Sequence, residues 1–202
     1  MKKISVLLIL ATLLAGFTGC GDKTTPVYTG DLLSEIPSVQ VERPSDFTLI
    51  TVQWDYYPTA AELVAASTNV FKGKVQSVSS LIANNKGETD GAQSPANSLL
   101  FTVFSIEPEK NYKGTSKGTV ALRMPGGVAS YYEEQVEQCE ENGIPYTVVE
   151  DGTKDLTEGQ SYLFVTVRSE SGYDEIISMN QFVYPLDSPE ATAIREACKS
   201  GK

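Results

Sequence analysis

Histidine is absent from the 202 residues. That removes Ser–His and Cys–His nucleophile pairs, imidazole metal sites and an imidazole pH switch. Cysteine occurs three times, too few for a disulfide framework and too widely spaced for a zinc knuckle. Basic residues are scarce. Sixteen Lys and Arg against 26 Asp and Glu give a formal net charge of −10, which opposes a phosphate backbone and argues against nucleic acid as a partner. No Ser-x-x-Lys nucleophile pattern and no Asp-x-Asp-x-Asp-Gly calcium loop occurs. Apolar side chains are plentiful: 41% hydrophobic and 9% aromatic residues suffice for a sizeable core.

The N-terminus concentrates that apolarity. Lys2 and Lys3 precede a nearly unbroken apolar run from Ile4 to Leu14. The run is short for crossing ~30 Å of hydrocarbon and has the form of a secretory signal. Gly16-Phe17-Thr18-Gly19-Cys20 resembles the bacterial lipobox, with Phe17 where Leu is usual. The resemblance implies cleavage after Gly19 and a diacylglyceryl group on the Cys20 thiol. Two acyl chains anchor stably where one anchors marginally, each buried methylene contributing about 0.8 kcal/mol. An ordinary cleaved signal with a chance cysteine is the alternative. Cleavage removes Lys2 and Lys3 and no acid, moving the net charge from −10 to −12. An acidic body is expected to stand off an anionic bilayer. The expected location is the extracytoplasmic side of a bacterial membrane, with lipid as partner through Cys20.

Three segments follow from this. Residues 1–19 read as the signal and residues 20–46 as the lipidated cysteine with a flexible tether. Residues 47–202 read as one folded domain ending in a helix, close to the modal domain size. The tether has scattered Thr, Pro, Ser and Gly, with a short strand at Val39–Val41.

Within the domain, Thr48–Trp54 reads as a strand. Thr59 and Glu62 form a capping-box spacing that starts a helix over Ala60–Ala66. Val70–Val78 is a strand with a bulge at Gly73, and Ala83–Asn97 is a polar loop. Ser98–Ile106 and Thr119–Met124 are strands separated by a turn. Ser130–Gly143 reads as a capped helix, or alternatively as an acidic loop. Tyr146–Val149, Tyr162–Val167, Tyr173–Met179 and Gln181–Tyr184 complete the strands. Ser188, Pro189 and Glu190 start a terminal helix. Short strands and frequent turns predict a mainly β fold: a small antiparallel OB-like barrel of five to six strands with two or three short peripheral helices.

The order and motifs resemble the netrin-like modules of tissue inhibitors of metalloproteinases and of bacterial secreted domains. The carrying residues are Val70-Phe71-Lys72-Gly73-Lys74-Val75 after the short helix, the Tyr112-Lys113-Gly114 turn, and Gly159 to Phe164 in a late strand. The resemblance covers roughly residues 59–184 and implies an OB-like barrel. The inhibitors chelate zinc through a free N-terminal cysteine. Cys20 would instead be lipidated and separated from the barrel by a linker, so that mechanism does not carry over.

Candidate chemistry is thin. Glu133, Glu134, Glu137, Glu140 and Glu141 suit a cation or basic partner, or simply a solvated helix face. Trp54, Tyr56 and Tyr57 form a candidate contact surface for a protein or glycan, or belong to the core and its rim. Cys139 and Cys198 are a candidate disulfide in an exported chain. Pro125-Gly126-Gly127 is a turn, with no Lys-Ser/Thr helix behind it to make a phosphate loop. No cofactor or metal is expected. The leading expectation is a membrane-anchored, non-catalytic binding or protein-interaction module. A carboxylate-dependent hydrolase or a purely structural envelope protein are the alternatives.

Overall fold

A computed structural model describes residues 28–84 and 97–200. The signal segment, Cys20, the start of the tether and positions 85–96 of the polar loop lie outside the described residues. The chain is mainly β, with a six-stranded mixed sheet and three α-helices among the described residues. In order it runs β1 (Ser38–Val39), β2 (Phe47–Ile50), α1 (Ala60–Ala66), β3 (Asn69–Asn84), β4 (Ser98–Lys113), β5 (Val120–Pro125), α2 (Tyr132–Glu141), β6 (Tyr146–Val149), β7 (Thr153–Lys154), β8 (Ser161–Arg168), β9 (Asp174–Ile176), β10 (Val183–Tyr184) and α3 (Pro189–Ser200).

The main sheet has the order β10-β8-β3-β4-β5-β9. β9 also pairs with β8, so the hydrogen-bonded circuit β8-β3-β4-β5-β9 returns to its start. The expectation of antiparallel pairing throughout is corrected at one step: β5 and β9 run parallel, Leu122 opposite Asp174. Counting explains this. Five strands in a circuit cannot all alternate in direction, so at least one neighbour pair must run parallel. Two small sheets flank the main one, β1 antiparallel to β7 and β2 parallel to β6.

Local sequence chemistry accounts for most boundaries. Thr59 accepts from the Glu62 backbone N–H at 3.2 Å and the Glu62 carboxylate accepts from the Thr59 N–H at 3.1 Å, which closes the capping box. Ser188 caps α3 by accepting from the Ala191 N–H at 3.1 Å. Gly73 stands at a register shift and faces Pro108, whose missing N–H a bulge tolerates. A side chain there would run into Ile106, with its Cβ 2.6 Å from the Ile106 methyl.

Other boundaries moved. β4 continues to Lys113, through residues whose turn-like composition predicted a break, because the first half of β3 supplies partners as far as Val70–Lys113. β2 ends at Ile50, short of Trp54, because its partner β6 ends at Val149 before the Gly152 turn. Residues 130–143 hold α2, preceded by a 3-10 turn at Ala129–Tyr131. Ser130 does not cap it; its backbone N–H and hydroxyl bind the Asp155 carboxylate instead. Part of the expected tether is pinned to the domain. Leu32 is 1% exposed, and its carbonyl accepts from the buried Tyr184 hydroxyl at 2.9 Å.

The main core lies between the sheet and the α1 and α3 helices. It includes Phe71 stacked on Phe164 with ring centroids 5.4 Å apart, together with Phe104, Leu122 and Ile194. A smaller cluster of Leu100, Cys139, Ile144, Tyr146 and Val148 lies under α2.

Candidate functional site

The first sequence candidates are dispersed by the fold. Trp54 and Tyr57 are half-buried against the main core, while Tyr56 is 52% exposed. Tyr56 alone of the three therefore offers a broad surface, its hydroxyl reaching Asp31 at 3.3 Å. Cys139 and Cys198 are both buried, in different clusters, and no disulfide joins them. Burial alone pushes the Cys139 thiol up to about 11, which keeps it protonated and inert. The five acids of α2 are all exposed, the pattern of a solvated face. No group of three or more acidic or thiol side chains is placed to hold a metal ion among the described residues. Among the same residues no helix is long and apolar enough to cross a membrane.

The glycine pair is a packing device. Gly126 takes φ +82°, and its N–H donates to the Leu100 carbonyl at 2.9 Å. Both carbonyls accept from buried threonines, Gly126 from Thr102 and Gly127 from Thr153. The backbone amides therefore face protein rather than an anion.

Among the described residues, a groove of about 1390 Å³ lies between α1 and α3. It lies beyond the 300–1,000 Å³ range of ordinary small-molecule pockets. Ala61, Val64 and Ala65 line it from α1 at helical i, i+3, i+4 spacing, and Ala193 and Ala197 face them from α3. Tyr112 and Lys113, at the end of β4, also line the groove, as do Tyr28, Thr29 and Gly30. α3 carries two apolar stripes. Ala191, Ile194 and Cys198 are buried, whereas Ala193 and Ala197 remain partly open. That second stripe was legible as an alanine repeat at i, i+4, but nothing in a single sequence marks it as a wall.

The charged and amide side chains at the groove have protein partners. Lys113 Nζ donates to the carbonyls of Val64 and Ser67 at 2.5 Å each and of Ala65 at 3.3 Å. It thereby caps the C-terminus of α1, where orphan carbonyls and the helix dipole favour a cation. Asn111 Nδ2 donates to the Ser116 carbonyl, and Glu196 pairs with Lys199. Tyr28 donates its hydroxyl to Glu190 in the first turn of α3, and that carboxylate pushes the phenol up to about 12. The groove is thus suited to an uncharged apolar ligand. The Tyr112-Lys113-Gly114 motif is explained by the same geometry, since Gly114, at φ +74°, leaves room for Asn69 Oδ1.

A buried lysine lies elsewhere. Lys154 is 2% exposed, and Nζ donates to the Ile36 carbonyl at 2.5 Å. Burial lowers its pKa from the ordinary lysine value of 10.5. Between the folded and unfolded values the unfolded chain binds more protons, so stability rises with pH across that window. Below that window both states are protonated and the full burial penalty is present. Lys154→Met is expected to be neutral to about 1 kcal/mol stabilising at pH 7. Its advantage over the parent should shrink in urea titrations as pH approaches 10. A widening gap would contradict the buried-cation account.

No protein-family model and no curated protein matches the sequence.

Proposed function

We propose that the protein is a lipid-anchored, extracytoplasmic binding module, built on a small OB-like barrel and using the α1/α3 groove as its site for an apolar ligand. The observation that carries this reading is the groove itself: a large apolar concavity whose lining lysine, asparagine and glutamate are already partnered within the protein. Such a site binds by excluding water from apolar surface. The barrel reading is supported by the five-strand circuit and by the netrin-like motifs at Gly73 and Gly114. Tyr56, just before α1, extends the contact surface toward an aromatic-tolerant partner. The anchor is the diacylglyceryl group on Cys20.

Expression of the full chain in bacteria, membrane fractionation and intact-mass measurement test the anchor. The expected result is a membrane-bound species starting at Cys20 and carrying the diacylglyceryl mass, with Cys20→Ser lacking that mass and left uncleaved. An unmodified Cys20 would overturn the anchoring claim.

A further inference from the structure

We infer that the α1/α3 groove holds one of the two acyl chains on Cys20, so that the protein docks part of its own anchor; this rests on the lipid-anchored reading above. Three observations converge on that occupant.

The first is chemistry. The two helical walls present alanine, valine and threonine, and the lysine beside them is turned into the carbonyls that end α1. A phosphate or carboxylate ligand would find no available cation at Lys113. A sugar would need convergent donors and acceptors, whereas Asn111 and Glu196 already have partners. A hydrocarbon chain needs neither.

The second is where the chain enters. Tyr28, Thr29 and Gly30, the first described residues, themselves line the groove. Tyr28 is tied there by its bond to Glu190. The described chain therefore begins at the groove.

The third is reach. Gly21–Val27 separates Cys20 from Tyr28. At roughly 3.3–3.6 Å per extended residue, that link spans on the order of 25 Å. α3 has 12 residues and is about 18 Å long. The Cys20 sulfur can thus lie anywhere along the groove, and the long open shape suits a flexible chain better than a compact ligand.

The consequence is a tunable anchor. Two chains in the bilayer hold stably, while one gives marginal, reversible binding with K of about 10⁴ M⁻¹. A chain in the groove is a chain withdrawn from the membrane. Docking therefore converts a permanent attachment into an exchangeable one.

The test uses the full lipidated chain, its mass verified, beside a Cys20→Ala chain that cannot be acylated. The probe is a fluorescent long-chain fatty acid, added after detergent removal. The Cys20→Ala chain is expected to bind it, and the lipidated chain at least tenfold more weakly because its groove is filled. Ala61→Trp and Thr192→Trp block the groove from opposite walls at exposed positions, so neither burdens the core. Each should abolish uptake by the Cys20→Ala chain. In the lipidated chain each should raise partitioning onto phosphatidylcholine vesicles at least tenfold, by returning the second acyl chain to the bilayer. Equal uptake by the lipidated and unlipidated chains, or partitioning unmoved by both tryptophans, would overturn the proposal while leaving the anchor intact. Absence of lipid on Cys20 would overturn the anchor reading and this occupant together, and the mass measurement alone identifies that case.

Discussion

Gly127→Ala is expected to destabilise the protein by about 3 kcal/mol or more, at the upper end of overpacking penalties. The added Cβ would lie 1.8 Å from the Tyr146 hydroxyl, 2.3 Å from its Cζ and 2.8 Å from Gln135 Oε1. None of these atoms can retreat cheaply. Tyr146 is 1% exposed, its ring packs edge-on against Tyr132, and burial drives its phenol pKa far above the ordinary value. Gln135 is fully buried and fully engaged. Its Oε1 accepts from the Val128 N–H at 2.9 Å, and its Nε2 donates to Thr102 Oγ1 at 3.0 Å. Displacing either residue breaks bonds that tie α2 to β4 and to the turn after β5. Urea unfolding should show the loss as a lowered midpoint with an unchanged slope. Tyr146→Phe should not rescue the variant, because Cζ remains within 2.3 Å of the new carbon. Gly118→Ala is the control. It has open space around it and a φ of +64°, so only the backbone penalty of roughly 1 kcal/mol applies. A Gly127→Ala loss no larger than this control would contradict the packing account.

Asp174→Ala carries the second large expectation, about 2–6 kcal/mol, from stranding two buried donors at about 1–3 kcal/mol each. Asp174 is completely buried at the start of β9. Its Oδ2 accepts from Asn69 Nδ2 at 2.9 Å and from Thr166 Oγ1 at 2.6 Å. Its Oδ1 lies 2.8 Å from Arg168 Nε, off the line of the N–H, so that contact is ionic and not a hydrogen bond. One carboxylate thus joins the first residue of β3 to β8 and β9, at the step where the strand circuit returns on itself. Arg168 is 42% exposed and recovers solvent when the carboxylate is lost. Asn69 and Thr166 do not, and each stranded donor costs about 1–3 kcal/mol. Asp174→Asn retains an acceptor and should fall between the parent and the alanine variant. Thermal or urea unfolding orders the three. An alanine variant as stable as the asparagine one would show that the two buried donors find other partners.

What was legible from sequence was local. The Thr59–Glu62 box, the Ser188 cap, the Gly73 bulge and the positions of nearly every strand follow from side-chain periodicity and short-range hydrogen bonding. What escaped depends on partners far away in the chain. The Glu107–Lys113 stretch looks like a turn until β3 lies beside it. The segment after Tyr28 looks like linker until Leu32 meets Tyr184 and Gln181. The polar composition of Lys154 and Asp174 gives no hint that either is buried. The groove was invisible for the same reason, since its two walls are 130 residues apart and each is an unremarkable alanine stripe.

The sequence by itself determined the absence of imidazole chemistry, the acidic charge, the mainly β character and the N-terminal pattern expected of a lipid anchor, because these depend on residue type and near neighbours. Tertiary structure alone decided the parallel β5–β9 step, the separation of Cys139 from Cys198, the burial of Lys154 and Asp174, and the meeting of α1 with α3. Those features arise from strand count, from register and from which surfaces exclude water together, and no window of adjacent residues contains that information.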